Sequence, residues 1–220
     1  MVASAPVPLW EREALHEAAG PTLRPGGFEL TDRAAEFIGA VPGWTVLDVG
    51  AGLGATVSRL RSRFGVRAFG VEPSAGQLAR AHGAAGLIRA RGDELPFGQG
   101  RFDAVFCECV LSLFDDRAGG LDEFHRVLRP GGFLVLSDLC ASGSPAEGGA
   151  SCADRAAPLA DIAGLVRERG FSVELTEDHS RLLRDLAARL AWSGEAGRHG
   201  CGCGRNAGYF LMIARKQGAK

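Results

Sequence analysis

The stretch VLDVGAGLGA, Val46 to Ala55, limits what this chain can fold into more than any other part of it. An apolar run without alternation reads as a strand covered on both faces, of the kind parallel sheets contain. Glycines at 50 and 52 let the backbone take positive φ and let a ligand come close. The helix that follows offers its first N–H groups as donors. Gly50-x-Gly52-x-x-Ala55 also satisfies the dinucleotide fingerprint, and a tight turn with no ligand would use the same residues.

Strand and helix patterns alternate from there. The predicted elements are strand Trp44 to Val49, helix Gly54 to Phe64, strand Val66 to Val71, helix Ser74 to His82 and a short strand Leu87 to Ala90. Next come strand Phe102 to Cys107, helix Leu121 to Leu128, and a strand Gly132 to Leu139 opened by the turn Arg129-Pro130-Gly131-Gly132. A polar, small-residue stretch, Cys140 to Ala156, separates these from helix Leu159 to Glu168, strand Phe171 to Leu175 and helix Ser180 to Trp192. After the Gly/Cys loop Ser193 to Asn206, the last strand, Tyr209 to Ala214, has no helix behind it and is expected to run antiparallel near a sheet edge. Such alternation implies right-handed crossovers and an α/β fold, a doubly wound, Rossmann-like parallel sheet.

At 220 residues, one domain holds all of this. Pro6, Pro8, Pro21, Pro25, Gly26 and Gly27 mark residues 1–30 as an N-terminal arm with a short helix around Glu11 to Ala19. The domain proper then spans 31–220 and opens with Thr31 as a helix N-cap. The 25 basic and 26 acidic side chains leave a net charge of -1, which argues against a nucleic-acid partner held by bulk electrostatics. No apolar run approaches the ~18–20 residues that span a bilayer, and Met1 to Trp10 lacks the marks of an export signal. The expectation is a cytoplasmic protein with no membrane partner.

Acids stand at three strand ends. Glu72, 22 positions after Gly50, can accept both hydroxyls of a ribose. Asp48 lies two residues before the first glycine, where its carboxylate would repel a pyrophosphate but suits a zwitterion carrying an ammonium and a sulfonium. Asp93, in RGDELPF, can accept from an adenine amino group. Together they outline a cation-tolerant, adenosine-shaped cleft at the switch point of the sheet.

The successive motifs LDVGAGLG, GVEPS, RGDELPF, RFDAVFCECVLSLF and FHRVLRPGGFLVLSD resemble those of class I S-adenosylmethionine-dependent methyltransferases, over roughly Thr31 to Leu139. The resemblance implies a seven-stranded, mostly parallel sheet with an antiparallel last strand in a three-layer α/β/α sandwich. It implies S-adenosylmethionine as cofactor and S-adenosylhomocysteine as product; with the near-neutral charge, the expected partner is a small-molecule methyl acceptor, and the expected protein a monomer or homodimer. It places Asp48, Gly50 and Gly52, with Ala51 between them, at the methionine end. Glu72 and Pro73 fall at the ribose, Gly92, Asp93 and Glu94 at the adenine, and Cys107 beside the cofactor. The flanks PLWEREALHEAAGPTLRPGGFELT and GYFLMIARK are similar to a small branch of these enzymes from anaerobic bacteria. Where related enzymes carry histidines after the fourth strand, this chain has Ser112 and Leu113, so no general base carries over.

Methyl transfer is an in-line displacement that asks mainly for alignment and exclusion of water, with a base only if the nucleophile must lose a proton. Glu108, Asp138 and His179 are candidates for that base, with Cys107 as a further catalytic candidate; each can equally serve as a solvated, capping or buried side chain. His16, His82 and His125 fall in helical patterns and read as surface or satisfied residues. If the last strand is antiparallel, Cys107, Cys109, Cys140, Cys152, Cys201 and Cys203 all lie near the active edge. They read as small buried hydrophobes, as a thiol- or metalloid-directed site, as a metal site with His199, or as a redox-sensitive lid. Neither C-x-C pair has structural zinc spacing, so no metal is expected. Trp10 and Arg24-Pro25-Gly26-Gly27 can fold over the cofactor, with Arg24 meeting a carboxylate. A fold that keeps the cleft without chemistry is the main rival. A nucleotide-dependent oxidoreductase is the other, and Asp48, RGDELPF and RPGG speak against it.

Overall fold

The computed structural model describes residues 9–81, 86–141, 153–192 and 207–218. Seven strands form one sheet: β1 (Thr45–Val49), β2 (Arg67–Val71), β3 (Leu87–Ile88), β4 (Phe102–Glu108), β5 (Leu128–Ala141), β6 (Phe171–Asp178) and β7 (Ala207–Lys216). Their order is β3-β2-β1-β4-β5-β7-β6, with β7 antiparallel to both β5 and β6 and the other pairings parallel. The last strand is thus inserted one place in from the edge. Strand order reverses between β1 and β4, which opens a crevice at their carboxyl ends.

Side-chain alternation explains why β1 reads as an unbroken apolar run. Val46 points into a core formed with Leu30 and Ala34 of α2 (Glu29–Phe37), Val57 and Leu60 of α3 (Ala55–Phe64) and Leu183 of α7 (Ser180–Trp192). Leu47 and Val49 point the other way, into a core with Leu121 and Phe124 of α5 (Arg117–Val127) and Ile162 and Val166 of α6 (Leu159–Glu168). The sheet is covered on both faces, as its composition requires. A third cluster docks α1 (Glu13–Ala19) on α7 through Ala14, Leu15, Leu186 and Leu190. No helix among the described residues is long and apolar enough to cross a membrane.

Three local expectations give way. Thr31 does not cap a helix: α2 already runs from Glu29, and the Thr31 hydroxyl is buried against Glu108 instead. Helix α5 begins at Arg117, not Leu121, because Asp116 caps it by accepting from the Gly119 N–H at 2.9 Å, which offsets the poor helix propensity of Gly119-Gly120. The Arg129–Gly132 turn is absorbed as an irregularity of β5, with Gly131 at φ 73 and a register shift against β4 between Phe102 and Ala104.

Candidate functional site

The crevice is occupied by a cavity of about 640 Å³, within the range of small-molecule sites. Its floor is the turn between β1 and α3, where Gly50, Gly52 and Gly54 all have positive φ. A side chain could not replace the first of them, since a Cβ on Gly50 would stand 2.3 Å from Cγ2 of Val110. The turn is held from the sheet, because the N–H groups of Gly50 and Ala51 both donate to the Val71 carbonyl, at 2.9 and 3.0 Å. Gly92 is as constrained, with its hypothetical Cβ 2.4 Å from Phe114 and 2.6 Å from Val49.

The acids around this floor differ in their partners. Glu72, at the end of β2, accepts from the Gly52 N–H at 3.0 Å and the Ser74 N–H at 2.8 Å, which pins the carboxylate beside the glycine turn. Burial raises its pKa and those two N–H groups oppose the rise. Asp48 is buried, and no donor among the described residues meets its carboxylate. Burial and the neighbouring Glu108 push its pKa up to about 8 against the pull of Arg24. Asp93 lines the cavity but is held by Arg91, whose Nε and Nη2 donate to its two oxygens at 2.8 and 2.6 Å. That pairing lowers the Asp93 pKa and leaves lone pairs for one further donor.

The opposite wall comes from distant parts of the chain. Cys109 follows β4 in a left-handed conformation, φ 60, uncommon for a residue with a side chain, and its Sγ lies 3.2 Å from the Tyr209 hydroxyl. Beside it the Glu108 carboxylate is crowded with donors. Arg24 pairs with it at 2.8 Å, Thr31 donates at 3.1 Å and Thr56 at 3.2 Å. Leu23, at φ 55, carries the chain over the turn so that it lies 3.8 Å from where a Gly52 Cβ would be. Further out, Gln77 donates to the Trp10 carbonyl at 2.6 Å and Ser74 to Glu11 at 2.9 Å, clasping the arm to α4 (Ala75–Arg80).

The structure therefore gathers Asp48, Gly50, Ala51, Gly52, Glu72, Pro73, Gly92, Asp93 and Glu108 around one cavity. Other candidates fall elsewhere. Cys107 does not face the cavity: the pleat of β4 turns its side chain into the core, and burial raises its thiol pKa well above the ordinary value. Its neighbour Cys109 takes the cavity wall instead. Glu94 is exposed, one residue past the lining. Asp138 is buried behind the turn Leu111–Leu113 at a separate cavity of about 100 Å³, where Ser112 N–H and hydroxyl and Leu139 N–H occupy its oxygens. His179 pairs with Glu177 at 3.0 Å, away from the lining. His82, Cys152, His199, Cys201 and Cys203 lie outside the described residues. Among the described ones no three His, Cys, Asp or Glu side chains group into a metal site. Sequence patterns did not single out Val110, Phe114 or Thr56, and gave Thr31 only as a helix cap and Leu113 only as a position without a base; their places depend on contacts far along the chain.

A switch-point cavity over a glycine turn, ringed by acids, agrees with what known proteins show. Residues 47–136 match the family model described as a methyltransferase domain. Over that segment the chain resembles methyltransferase domains. It is 29% identical to an O-methyltransferase, resE, of Aspergillus sclerotiorum over 61% of this chain and 53% of that protein. Among solved structures it superposes on the [4+2]-cyclase SpnF with a TM-score of 0.75 at 25% identity, over 96% of this chain and 88% of that one. Phosphoethanolamine N-methyltransferase 2 of Haemonchus contortus, solved with S-adenosyl-L-methionine, gives a TM-score of 0.75 at 19% identity over 93% of this chain and 56% of that one. The chain spans about half or less of the length of the curated relatives it matches.

Proposed function

We propose that this protein binds S-adenosylmethionine in the 640 Å³ cavity and transfers its methyl group to a small molecule. The observation that carries the reading is Asp48, a buried carboxyl with no donor among the described residues, at the foot of a glycine turn whose first glycine admits no side chain. A ligand with positive charge at that point supplies what the chain withholds. When bound, the cofactor supplies a methyl group on a cationic sulfur, which leaves as a neutral thioether once an acceptor lone pair has taken the carbon.

The residues divide that work. Glu72, already aimed by two N–H groups, receives the ribose hydroxyls, with Pro73 beside it. Gly50, Ala51 and Gly52 let the amino-acid end lie against the backbone. Asp48 faces the cation. Asp93, shared with Arg91, takes the adenine amino group beside Gly92. Leu23, Val110, Leu113 and Phe114 give the acceptor side an apolar wall that keeps water out. Glu108 has its oxygens occupied by Arg24, Thr31 and Thr56 and serves to fix the arm rather than to accept a proton. Alignment of donor and acceptor, rather than base catalysis by the described residues, is then the main contribution. The acceptor is a small molecule and not nucleic acid or membrane lipid, and the protein works in the cytoplasm as a monomer or homodimer.

The test is calorimetric titration with S-adenosylmethionine and S-adenosylhomocysteine, on the wild type and on Glu72→Gln. Micromolar binding that weakens by about 10- to 100-fold in the variant is expected from the loss of a charged hydrogen-bond acceptor. Well-folded wild type that binds neither ligand contradicts the proposal.

A further inference from the structure

Four arginines among the described residues line the cavity, and they are held in different ways. Arg24 is paired with Glu108, and Arg91 gives two nitrogens to Asp93. Arg89, just past β3, is exposed, with its Nε 3.4 Å from the Pro73 carbonyl. Arg155 comes from the segment between β5 and α6, and Nη2 alone holds it, donating at 2.8 Å to both the Phe114 carbonyl and Asp115. Its Nε and Nη1 have no acceptor among the described residues, and neither is enclosed. Asp115 is 85% exposed, so solvent screens this ion pair and leaves it weak. A second guanidinium stands close by, since Arg117 donates to the backbone carbonyl of Arg155. Burial, and behind it the charge of Arg155, lower the Arg117 pKa against the pull of Asp138, whose oxygens already accept from Ser112 and Leu139. An anion at this corner relieves that repulsion.

Strand order puts β5 on the far side of β4 from β1, β2 and β3, whose ends carry the residues assigned above to the cofactor. Phe114 stands between the two groups. Its ring lies where a Gly92 Cβ would be 2.4 Å away, and its carbonyl holds Arg155. Arg155 thus closes the far end of the apolar wall of Val110, Leu113 and Phe114. Resting on the methyltransferase reading above, we infer that the methyl acceptor carries an oxyanion, a carboxylate or a phosphate, which Arg155 receives while the apolar body lies along that wall. Asp115 gives way as the anion arrives, because water can replace Arg155 as its partner. Nη2 is then released to join Nη1 in the fork that carboxylates and phosphates fit. A neutral acceptor leaves the Arg155–Asp115 pair as it stands and gains nothing from it.

The test is calorimetric titration of benzoate and phenyl phosphate, with benzamide as the neutral counterpart, into the complex with S-adenosylhomocysteine. Wild type, Arg155→Gln and Asp115→Asn are compared. At least one of the anions is expected to bind wild type about 10- to 100-fold more tightly than benzamide. Arg155→Gln removes that preference, and Asp115→Asn, which releases the guanidinium, strengthens it. The anion that gains more identifies the group as carboxylate or phosphate. Wild type that binds neither anion better than benzamide, or a preference that survives in Arg155→Gln, overturns the inference. If Arg155→Gln fails to fold, Asp115→Asn decides alone, and no gain in anion affinity there overturns it. S-adenosylhomocysteine binds wild type and Arg155→Gln alike; weaker binding to the variant gives Arg155 to the cofactor and also overturns the inference. No binding of S-adenosylhomocysteine to wild type is instead the failure of the cofactor reading.

Discussion

The two sides of the cavity are built by different means. The floor, from Asp48 through Glu72, uses residues within 25 positions of one another, held by backbone bonds to the end of β2. The facing wall joins Thr31 to Glu108 across 77 positions of sequence, and Arg24 to Glu108 across still more, by side chains alone. A local motif can fix a cofactor's backbone contacts. What stands over the reacting centre is set by long-range pairs, and those can differ between proteins that share the floor.

The comparison breaks most visibly at the wall. Replacing Arg24 by Met leaves Glu108 buried without its cation, and breaking one partner of such a pair costs about 3–5 kcal/mol. Urea unfolding should show that loss, and Arg24→Gln/Glu108→Gln should recover much of it. A smaller loss, about 2–4 kcal/mol, is expected for Gly50→Ala, from positive φ and from the collision with Val110. Combining it with Val110→Ala should relieve the collision but not the backbone strain. Partial recovery in the double variant would show that floor and wall touch, and strict additivity would show that they do not.

Asp48 sharpens the comparison through pH. In the folded, ligand-free chain its carboxyl keeps a proton up to about pH 8, against an ordinary value of 3.8. The folded state binds the extra proton between those values. Its contribution to stability is complete below pH 4 and is lost as pH rises through 8, on the order of 1 kcal/mol per pH unit. Denaturation curves from pH 5 to 8 should therefore fall more steeply for wild type than for Asp48→Asn. The smallest effect belongs to a site remote from the cavity floor: Asp116→Ala should cost about 1 kcal/mol by removing the cap of α5, with cofactor affinity unchanged.

Much of this fold was legible because its signals are local. The apolar run of β1, the glycine turn and the alternation of elements specify a doubly wound sheet, and β7, the strand that closes the alternation, enters it antiparallel as expected. Element ends were less legible. Gly119-Gly120 hid the first turn of α5, whose cap lies at Asp116, and the RPGG turn is taken up inside β5. At the site, spacing from the glycines indicated which acids reach the crevice but not which way each side chain faces there. Cys107, inside β4, turns into the core, whereas Cys109, two residues on and past the strand end with φ 60, takes the cavity wall. Glu94 and Asp93 divide in the same way. The loading of Glu108 with three donors depends on contacts that no window of sequence contains.

The most direct measurement is a crystal structure of the protein grown with S-adenosylhomocysteine. The account predicts density over the glycine turn, with the ribose hydroxyls on Glu72, the adenine toward Asp93 and the amino-acid end beside Asp48. Density for the ligand elsewhere, or a cavity still without it at saturating concentration, would contradict the assignment of this cavity to the cofactor.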